Sequence, residues 1–430
     1  MRYESLPQSF YKENRERFKK QMKSRSVAIF HSNDEMPKNA DGTFLFRQNN
    51  DLFYLTGIDQ EESVLLLSPD FPDPKYKEVL FLRETNEKIA VWEGQKLTKE
   101  EAIRISGIEK VYWLSELPTA LRWVCCQSEN IYLNSNEHFR AFPVVESREA
   151  RFTRELKNSY PLHHYERSSP IMHRLRSLKQ KPEIDRIRYA CSITEKGFRR
   201  IAQFIIPGIM EYEIEAELTH EFIRHRCTHA YAPIIASGSS ACVLHYIDNN
   251  KSCKEGEVIL LDFGAEFGNY ASDLTRCVPV SGTFTTRQRQ VYNAVLKVMK
   301  AATAMLVPGN LLEDYHKEVG KIMEKELIAL GLLKKDEVEK QNEDDPLYKK
   351  YFMHGTSHFL GLDVHDVGNR YLKFEENMIF TCEPGIYIKE ENLGIRLEND
   401  ILITKNGPVN LMENIPVEAE EIEGMMKKGL

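Results

Sequence analysis

The pattern of apolar and polar positions changes along the chain. Before residue 160, short apolar runs at 27–30, 64–67, 79–82 and 131–133 alternate with charged stretches, and these runs predict strands. Charged stretches with one apolar face predict a surface helix over 8–23 and another helix over 114–124. This alternation is typical of an α/β domain with a small mixed sheet.

After residue 180, apolar residues recur three and four positions apart, which is the spacing of one helix face. One such stripe covers 184–205 and stops at Pro207-Gly208, and another covers 291–305 and stops at Pro308-Gly309. Each Pro-Gly pair is followed by a further helical pattern and then by strand-like runs. The two pairs are 101 residues apart (308 minus 207), so the sequence predicts a weak internal duplication.

Between these parts, residues 164–183 are rich in Arg and Lys and contain Ser168-Ser169-Pro170 and Lys181-Pro182. This composition predicts a linker that leads into a new helix. Two domains are expected for 430 residues, and we assign them to residues 1–172 and 173–430. A second charged segment, 334–351, predicts a solvated loop or helix at the surface.

Composition excludes several classes of function. A net charge of -7 and a pI near 6.1 argue against nucleic acid as a partner, because phosphate binding needs a basic footprint. The sequence has no apolar run long enough for a membrane span, and its first residues lack the apolar core of a signal peptide. The eight cysteines show no C-x-x-C pairing and predict reduced thiols in a cytoplasmic protein.

Candidate chemistry is concentrated in residues 354–366, which carry three histidines and two aspartates among glycines and apolar residues. The pattern predicts imidazoles carried into a buried segment. A neutral imidazole is a common metal ligand and a proton carrier near pH 7.

Carboxylates are supplied by two predicted β-hairpins. Asp262 ends an apolar run, and Asp273 follows a Gly268-Asn269 turn, so we expect the two aspartates to face each other with Cβ atoms roughly 5 Å apart. Glu383 and Glu398 are expected to face each other in the same way. Buried carboxylates at such distances repel, and a cation between them removes the penalty.

With His358, these four acids form an oxygen-rich donor set. Bridging carboxylates hold two divalent cations roughly 3.5 to 4 Å apart. The donor type favours Mn²⁺ over a structural zinc bound by cysteines, although Co²⁺, Zn²⁺ or Fe²⁺ could also bind.

These five residues, together with His-Gly-Thr-Ser-His-Phe-Leu-Gly-Leu-Asp-Val-His-Asp at 354–366 and Glu-Pro-Gly-Ile-Tyr at 383–387, resemble the metallopeptidase family with the pita-bread fold. The likeness is greatest to the aminopeptidase P (Xaa-Pro aminopeptidase) branch, whose N-terminal motif is similar to residues 46–57. Phe359 departs from the pattern, since bacterial members often carry Trp there.

The resemblance implies an α/β N-terminal domain followed by an α+β pita-bread catalytic domain with a pseudo-twofold internal duplication. It also implies a dinuclear-metal hydrolase that removes the N-terminal residue from peptides with proline in the second position, by means of a hydroxide that bridges the metals. Its members suggest a homodimer or homotetramer.

Roles follow from chemistry and resemblance. Glu383 is expected to be both ligand and general base. The resemblance implies that His365 binds the scissile carbonyl or its oxyanion and that His354 lines the proline side. His245, predicted to lie on a strand, would orient the substrate or donate a proton. Hydrogen-bonded core histidines are the alternative for His354 and His365.

Other residues have open interpretations. Arg396 and Tyr387 share strand faces with Glu398 and Glu383, so they are expected to line the site and contact substrate, with structural pairing of Arg396 as the alternative. Trp92 fits a packing aromatic better than a lid. A second metal site at His225 and His229 is not favoured, because no carboxylate pattern accompanies them.

Two other functions remain open. Prolidase shares these ligands but cleaves only dipeptides. A non-catalytic pita-bread module for peptide binding is disfavoured, because all five ligands are present, and creatinase-like chemistry is disfavoured on the same ground.

Overall fold

The computed structural model describes residues 3–342 and 344–426, which form two units, one of residues 3–176 and one that starts at Ser177. Glu343, in the charged segment predicted at the surface, lies outside the described residues. No helix within the described ranges is long and apolar enough to cross a membrane.

The first unit contains a six-stranded sheet. Its strands are β1 (Ser26–His31), β2 (Val64–Leu67), β3 (Glu78–Leu82), β4 (Lys110–Trp113), β5 (Asn130–Leu133) and β6 (His164–Arg167). Their order is β4-β3-β2-β1-β5-β6, with β2 antiparallel to both β1 and β3 and the other pairs parallel. The mixed sheet and the four strands predicted from apolar runs are confirmed.

The first unit also contains helices. They are α1 (Gln8–Lys19), α2 (Asn50–Thr56), α3 (Glu87–Glu93), α4 (Lys99–Ser106), α5 (Leu117–Gln127), α6 (Arg148–Ser159) and α7 (Ser169–Ser177). The motif at 46–57 has a structural explanation here, because the Asn49 side chain caps α2 by accepting from the backbone N–H groups of Asp51 and Leu52.

Two expectations for this unit are wrong in part or entirely. The predicted linker 164–183 is largely regular structure, since β6 and α7 occupy 164–167 and 169–177, but the boundary between the units falls inside it and the predicted start of a new helix is confirmed at Lys181. Its charged residues are tolerated because β6 is an edge strand, which pairs only with β5. Trp92 is not a packing aromatic: it is 88% exposed on α3, a helix with no buried residues.

The second unit combines long helices with small sheets. Its helices are α8 (Lys181–Phe204), α9 (Glu211–Arg224), α10 (Thr286–Ala304), α11 (Leu312–Ala329), α12 (Lys335–Val338) and α13 (Ala419–Met426). Its strands are β7 (Thr228–His229), β8 (Ile234–Ser237), β9 (Val258–Phe263), β10 (Ala265–Phe267), β11 (Tyr270–Ala271), β12 (Leu274–Pro279), β13 (Ile379–Cys382), β14 (Gly385–Ile388), β15 (Leu393–Arg396), β16 (Asn399–Thr404) and β17 (Gly407–Asn410).

Matching hydrogen bonds support the predicted duplication. The turn after α8 donates from Gly208 N to Cys253 O at 2.8 Å, and the turn after α10 donates from Gly309 N to Phe374 O at 2.9 Å. The two glycines have φ of 93° and 99°, a conformation that favours glycine. The two turns are therefore bound in the same way to a segment that precedes a strand.

Candidate metal centre

The aspartate hairpin is formed by β9, β10, β11 and β12. Gly268 and Asn269 occupy its turn with φ of 59° and 68°, the conformation of a two-residue I′ turn. Asp262 pairs with Thr275. The expected direct pairing of Asp262 with Asp273 is therefore wrong, because Gly268 and Asn269 themselves form the centre of the turn and shift the register by two residues. The aspartates are diagonal neighbours on one face.

Gly264, between β9 and β10, allows the strands of this hairpin to approach closely. A Cβ atom at this position would lie 1.7 Å from the backbone oxygen of Ser272, the residue before Asp273. Any side chain here would displace the backbone that positions an aspartate of the site.

Replacing Gly264 with alanine is expected to lower the free energy of unfolding by about 1–3 kcal/mol or more, because the backbone oxygen cannot move without breaking the hairpin. Chemical denaturation monitored by circular dichroism measures this. The matched control is Gly424→Ala on α13, where an added Cβ meets nothing within 4 Å and alanine is expected to stabilise the helix by about 0.5–1 kcal/mol. Equal effects of the two variants would contradict the prediction.

Glu383 and Glu398 face each other, as the second hairpin predicts. The ladder pairs Cys382 with Asn399 and, beyond the two glutamates, Gly385 with Arg396. Both pairs have the same register, and this register places Glu383 opposite Glu398 between the two paired segments. The strand pairing thus stops at the two glutamates and resumes on the other side of them.

His358 lies in a loop that is attached to β13. Its carbonyl accepts from Thr381 N at 3.0 Å, and Leu360 N donates to Ile379 O at 3.1 Å. Further along the loop, Lys179 donates to Asp366 at 3.0 Å in an ion pair whose side chains are 1% exposed. The loop is irregular but anchored at both ends.

These elements bring the predicted donors together. Ligand atoms of Asp273, His358 and Glu398 lie within 4.8 Å of one another, the one such group found among the described residues. The His358 Nε2 atom is 3.5 Å from an oxygen of Asp273 and 3.6 Å from an oxygen of Glu383. Asp262 joins the group because the Tyr231 hydroxyl contacts both aspartates.

Burial and mutual repulsion disfavour the charged form of the carboxyl groups in this cluster. Burial raises the pKa of Glu383 to about 7, although His358 and Arg396 oppose the shift. Burial and the nearby carboxylates raise the pKa of Glu398 well above its usual range. Burial lowers the pKa of His358, but its contacts with Asp273 and Glu383 outweigh burial and the net shift is upward.

The donor set fits divalent cations. The Nδ1 atom of His358 is 3.0 Å from the carbonyl of Phe359, which can hold the proton on Nδ1 and leave the Nε2 lone pair facing the carboxylates. Three buried carboxylates, the partly exposed Glu383 and one imidazole match oxygen-preferring cations, and bound cations would offset the repulsion between the carboxylates.

The other predicted histidines have different surroundings. His354 is half-buried, with Nδ1 2.9 Å from Gly355 O and Nε2 2.8 Å from the Tyr387 hydroxyl. Burial, with the charge of Arg396, lowers the pKa of His354 to about 3, so this imidazole is neutral at neutral pH. His365 is exposed, so the core interpretation is wrong for it, and its ring centroid is 4.3 Å from that of His358.

His245 is exposed and lies in a turn, so the predicted strand is wrong. The reason is local: β8 ends at Ser237, and a 3-10 helix at Gly238–Cys242 turns the chain before His245. His245 nevertheless lies close enough to His354 to lower the pKa of that imidazole.

Arg396 and Tyr387 do lie beside the candidate ligands. Arg396 is buried and donates to Asp262, to Thr275 Oγ1 at 3.2 Å and to the Tyr387 hydroxyl at 2.8 Å. Burial opposes its charge, but Tyr387 and Asp262 raise its pKa well above the usual value. The structural pairing of Arg396 is thus present.

Sequence reasoning missed two residues. Tyr231 precedes β8 and touches both aspartates, and the Thr275 hydroxyl donates to Glu398 at 2.6 Å. Thr275 could have been found from the register of the hairpin, but Tyr231 carries no pattern that links it to the site.

His225 and His229, the pair at which a second metal site is not favoured, make separate contacts. His225 ends α9 and contacts Lys196 at 3.1 Å, whereas His229 Nε2 lies 2.8 Å from the Thr219 hydroxyl.

Comparisons with known proteins give a consistent result. Residues 185–405 match the family described as "Metallopeptidase family M24", and residues 11–132 match "Aminopeptidase P, N-terminal domain". Xaa-Pro aminopeptidases of Haemophilus influenzae and Escherichia coli are each 34% identical to this chain. The match covers 98% of this chain and 98% of the H. influenzae protein, and 97% of this chain and 97% of the E. coli protein. The solved structure of zinc-substituted E. coli aminopeptidase P in complex with product is 32% identical, with a TM-score of 0.88, and covers 99% of this chain and 100% of that chain.

Proposed function

Because the chain belongs to metallopeptidase family M24, we propose that its divalent metal ions are held by Asp262, Asp273, His358, Glu383 and Glu398. The protein is a metalloexopeptidase that removes the N-terminal residue from peptides with proline in the second position. The observation that carries the site assignment is the convergence of Asp273, His358 and Glu398, whose ligand atoms lie within 4.8 Å of one another. Glu383 lies 3.6 Å from His358, and Asp262 contacts the same tyrosine hydroxyl as Asp273.

Two ions, with Mn²⁺ preferred, are our proposal for the cofactor. Four carboxylates can bridge and charge-balance two cations better than one. Bound divalent cations supply a water of lowered pKa and a Lewis acid for the scissile carbonyl. The zinc-substituted relative shows that its site takes Zn²⁺, and the oxygen-rich set here favours Mn²⁺.

Glu383 is the proposed general base. Its side chain is 18% exposed, whereas that of Glu398 is almost completely buried, so Glu383 is the more accessible of the paired glutamates. Burial raises the pKa of Glu383 to about 7 when no cation is bound. We propose that Glu383 takes the proton of the attacking water and passes it to the leaving nitrogen.

His365 is the group proposed to bind the scissile carbonyl, and His245 is the group proposed to donate a proton. Both are exposed, so a substrate could reach their ring nitrogens. The contact of His365 with His358 places it beside the ligand group, where a donated hydrogen bond would stabilise the oxyanion. His245 is proposed to orient the substrate or donate a proton.

The proline side is proposed to be formed by His354, Tyr387 and Arg396. Both nitrogens of His354 are engaged within the protein, so its ring would offer carbon edges and a face to the apolar proline ring. Arg396 holds the Tyr387 hydroxyl, which in turn holds His354. An X-Pro bond has no N–H, so recognition must depend on this pocket shape.

Further assignments are proposals with partial support. The domain division at 172/173 agrees with the family matches at 11–132 and 185–405 and lies near the unit boundary at Ser177. A cytoplasmic location is supported by eight free cysteines. A homodimer or homotetramer is proposed from the family, and light scattering tests it: a monomer mass at every concentration would reject it.

Product analysis tests the function. Metal-stripped and Mn²⁺-reloaded protein are incubated with an Xaa-Pro-Yaa tripeptide and an Xaa-Pro dipeptide, and products are identified by mass spectrometry. Release of the first residue from the tripeptide, only with metal, is expected. Cleavage of the dipeptide alone would instead indicate prolidase, and cleavage of neither would indicate a binding module.

A further inference from the structure

Arg276 on β12 is fully buried, and all five of its N–H groups have an acceptor within the second unit. Nε donates to Pro416 O at 2.8 Å, Nη1 to Thr275 O at 2.9 Å and to Glu398 O at 2.6 Å, and Nη2 to the Asn399 side-chain oxygen at 2.7 Å and to Ile415 O at 3.4 Å. A planar guanidinium with five acceptors fixes the relative position of three chain segments.

Two of these segments carry the metal centre. Glu398 is held at its carbonyl by Arg276 and at its N–H by Thr275 O, at 3.1 Å. The Thr275 hydroxyl then donates to the Glu398 carboxylate at 2.6 Å. The guanidinium therefore binds the backbone on both sides of the contact that orients this carboxylate.

The third segment lies near the C-terminal helix α13. Arg276 holds the carbonyls of Ile415 and Pro416, and the buried Tyr292 donates to the next carbonyl, Val417 O, at 2.7 Å. Residues 415–417 follow Glu398 by 17 to 19 positions, and the Arg276 guanidinium connects Ile415 and Pro416 to the Glu398 carbonyl.

Burying this arginine opposes its charge. The guanidinium is charged at neutral pH, and none of its five acceptors is a carboxylate oxygen. An apolar side chain of similar volume is often as stable at such a site. A guanidinium is explained at this site because its five N–H groups hold three chain segments at fixed positions.

We propose that Arg276 is a positioning residue that holds Glu398 in ligating geometry and makes metal affinity depend on the segment 415–417. This inference rests on the proposed assignment of Glu398 as a ligand.

The variant Arg276→Lys tests the inference, because it keeps the charge but cannot reproduce five planar donors. Mn²⁺ binding to metal-stripped protein is measured by electron paramagnetic resonance of the free ion. We expect at least one Mn²⁺ to bind about 10- to 100-fold more weakly. The kcat should recover at saturating Mn²⁺ with KM unchanged, a pattern that general loss of stability would not produce.

Two further variants serve as controls for folding. Arg289→Lys alters an arginine that holds α13 through Glu420 and Glu423 without touching Glu398, and should leave Mn²⁺ affinity unchanged. If Arg276→Lys does not fold, Tyr292→Phe tests the inference instead. This variant removes the hydrogen bond to the Val417 carbonyl and leaves the Arg276 guanidinium intact. A several-fold weaker affinity is expected for it, and unchanged affinity would then reject the proposal.

The variant Glu398→Gln separates this inference from the metal assignment. If it binds Mn²⁺ as the wild type does, Glu398 is not a ligand and the proposed metal set fails. If Glu398→Gln loses an ion but Arg276→Lys binds Mn²⁺ normally, the metal set stands and only the positioning role of Arg276 is rejected.

Discussion

Replacing Glu383 with glutamine is expected to lower kcat for an Xaa-Pro-Yaa tripeptide by about 10²- to 10⁴-fold. Glutamine keeps the shape of the side chain but cannot take a proton from the attacking water. The side chain is only partly exposed, and its carboxylate lies 3.6 Å from His358 and 3.5 Å from His354. Steady-state kinetics of product release measure the effect.

The matched control is Glu390→Gln, the same substitution in the turn between β14 and β15, where the side chain is 66% exposed. It should keep wild-type turnover. Metal content is measured in each preparation and turnover is repeated at high Mn²⁺, because Glu383 is also a proposed ligand. Wild-type kcat in metal-loaded Glu383→Gln would reject Glu383 as the base, and recovery of kcat only at high Mn²⁺ would leave it a ligand alone.

Removing the metal is expected to abolish turnover and also to destabilise the catalytic unit. Without cations, the four carboxylates and the imidazole rely on Tyr231, Thr275 and Arg396 for compensation, and burial still raises the pKa of Glu398 well above its usual range. Cations that bind only the folded protein should stabilise it by about 2.7 kcal/mol at a concentration 100 times Kd. The Tm should therefore rise with Mn²⁺.

The experiment compares chelator-treated protein with and without added Mn²⁺, by calorimetry and by peptide cleavage. Mg²⁺ at the same concentration serves as the control for general ionic effects. A Tm that rises equally with both ions, or cleavage that persists in metal-free protein, would contradict the proposed site. The Asp262→Asn variant is expected to fold and to lose both the cleavage and much of the Mn²⁺-dependent rise in Tm.

Local periodicity predicted most of the elements that carry the site. Strand β2 begins and ends at the predicted residues, and both Pro-Gly turns end helices within a few residues of the predicted position. The glutamate register also followed from sequence, because the turn between β14 and β15 is centred where the two acids require it. The aspartate register did not, because Gly268 and Asn269 form the turn centre themselves, so the acids are diagonal rather than opposed.

The sequence by itself determined the five candidate donors, their order and the two hairpins that supply four of them, because each donor belongs to a local pattern of apolar run, turn and acid. Only the tertiary structure decided how the site is held. Tyr231 meets Asp273 from 42 residues away, and Arg276 meets Glu398 from 122 residues away. Contacts between such distant residues depend on how separate elements pack, and they leave no periodic signal in the chain.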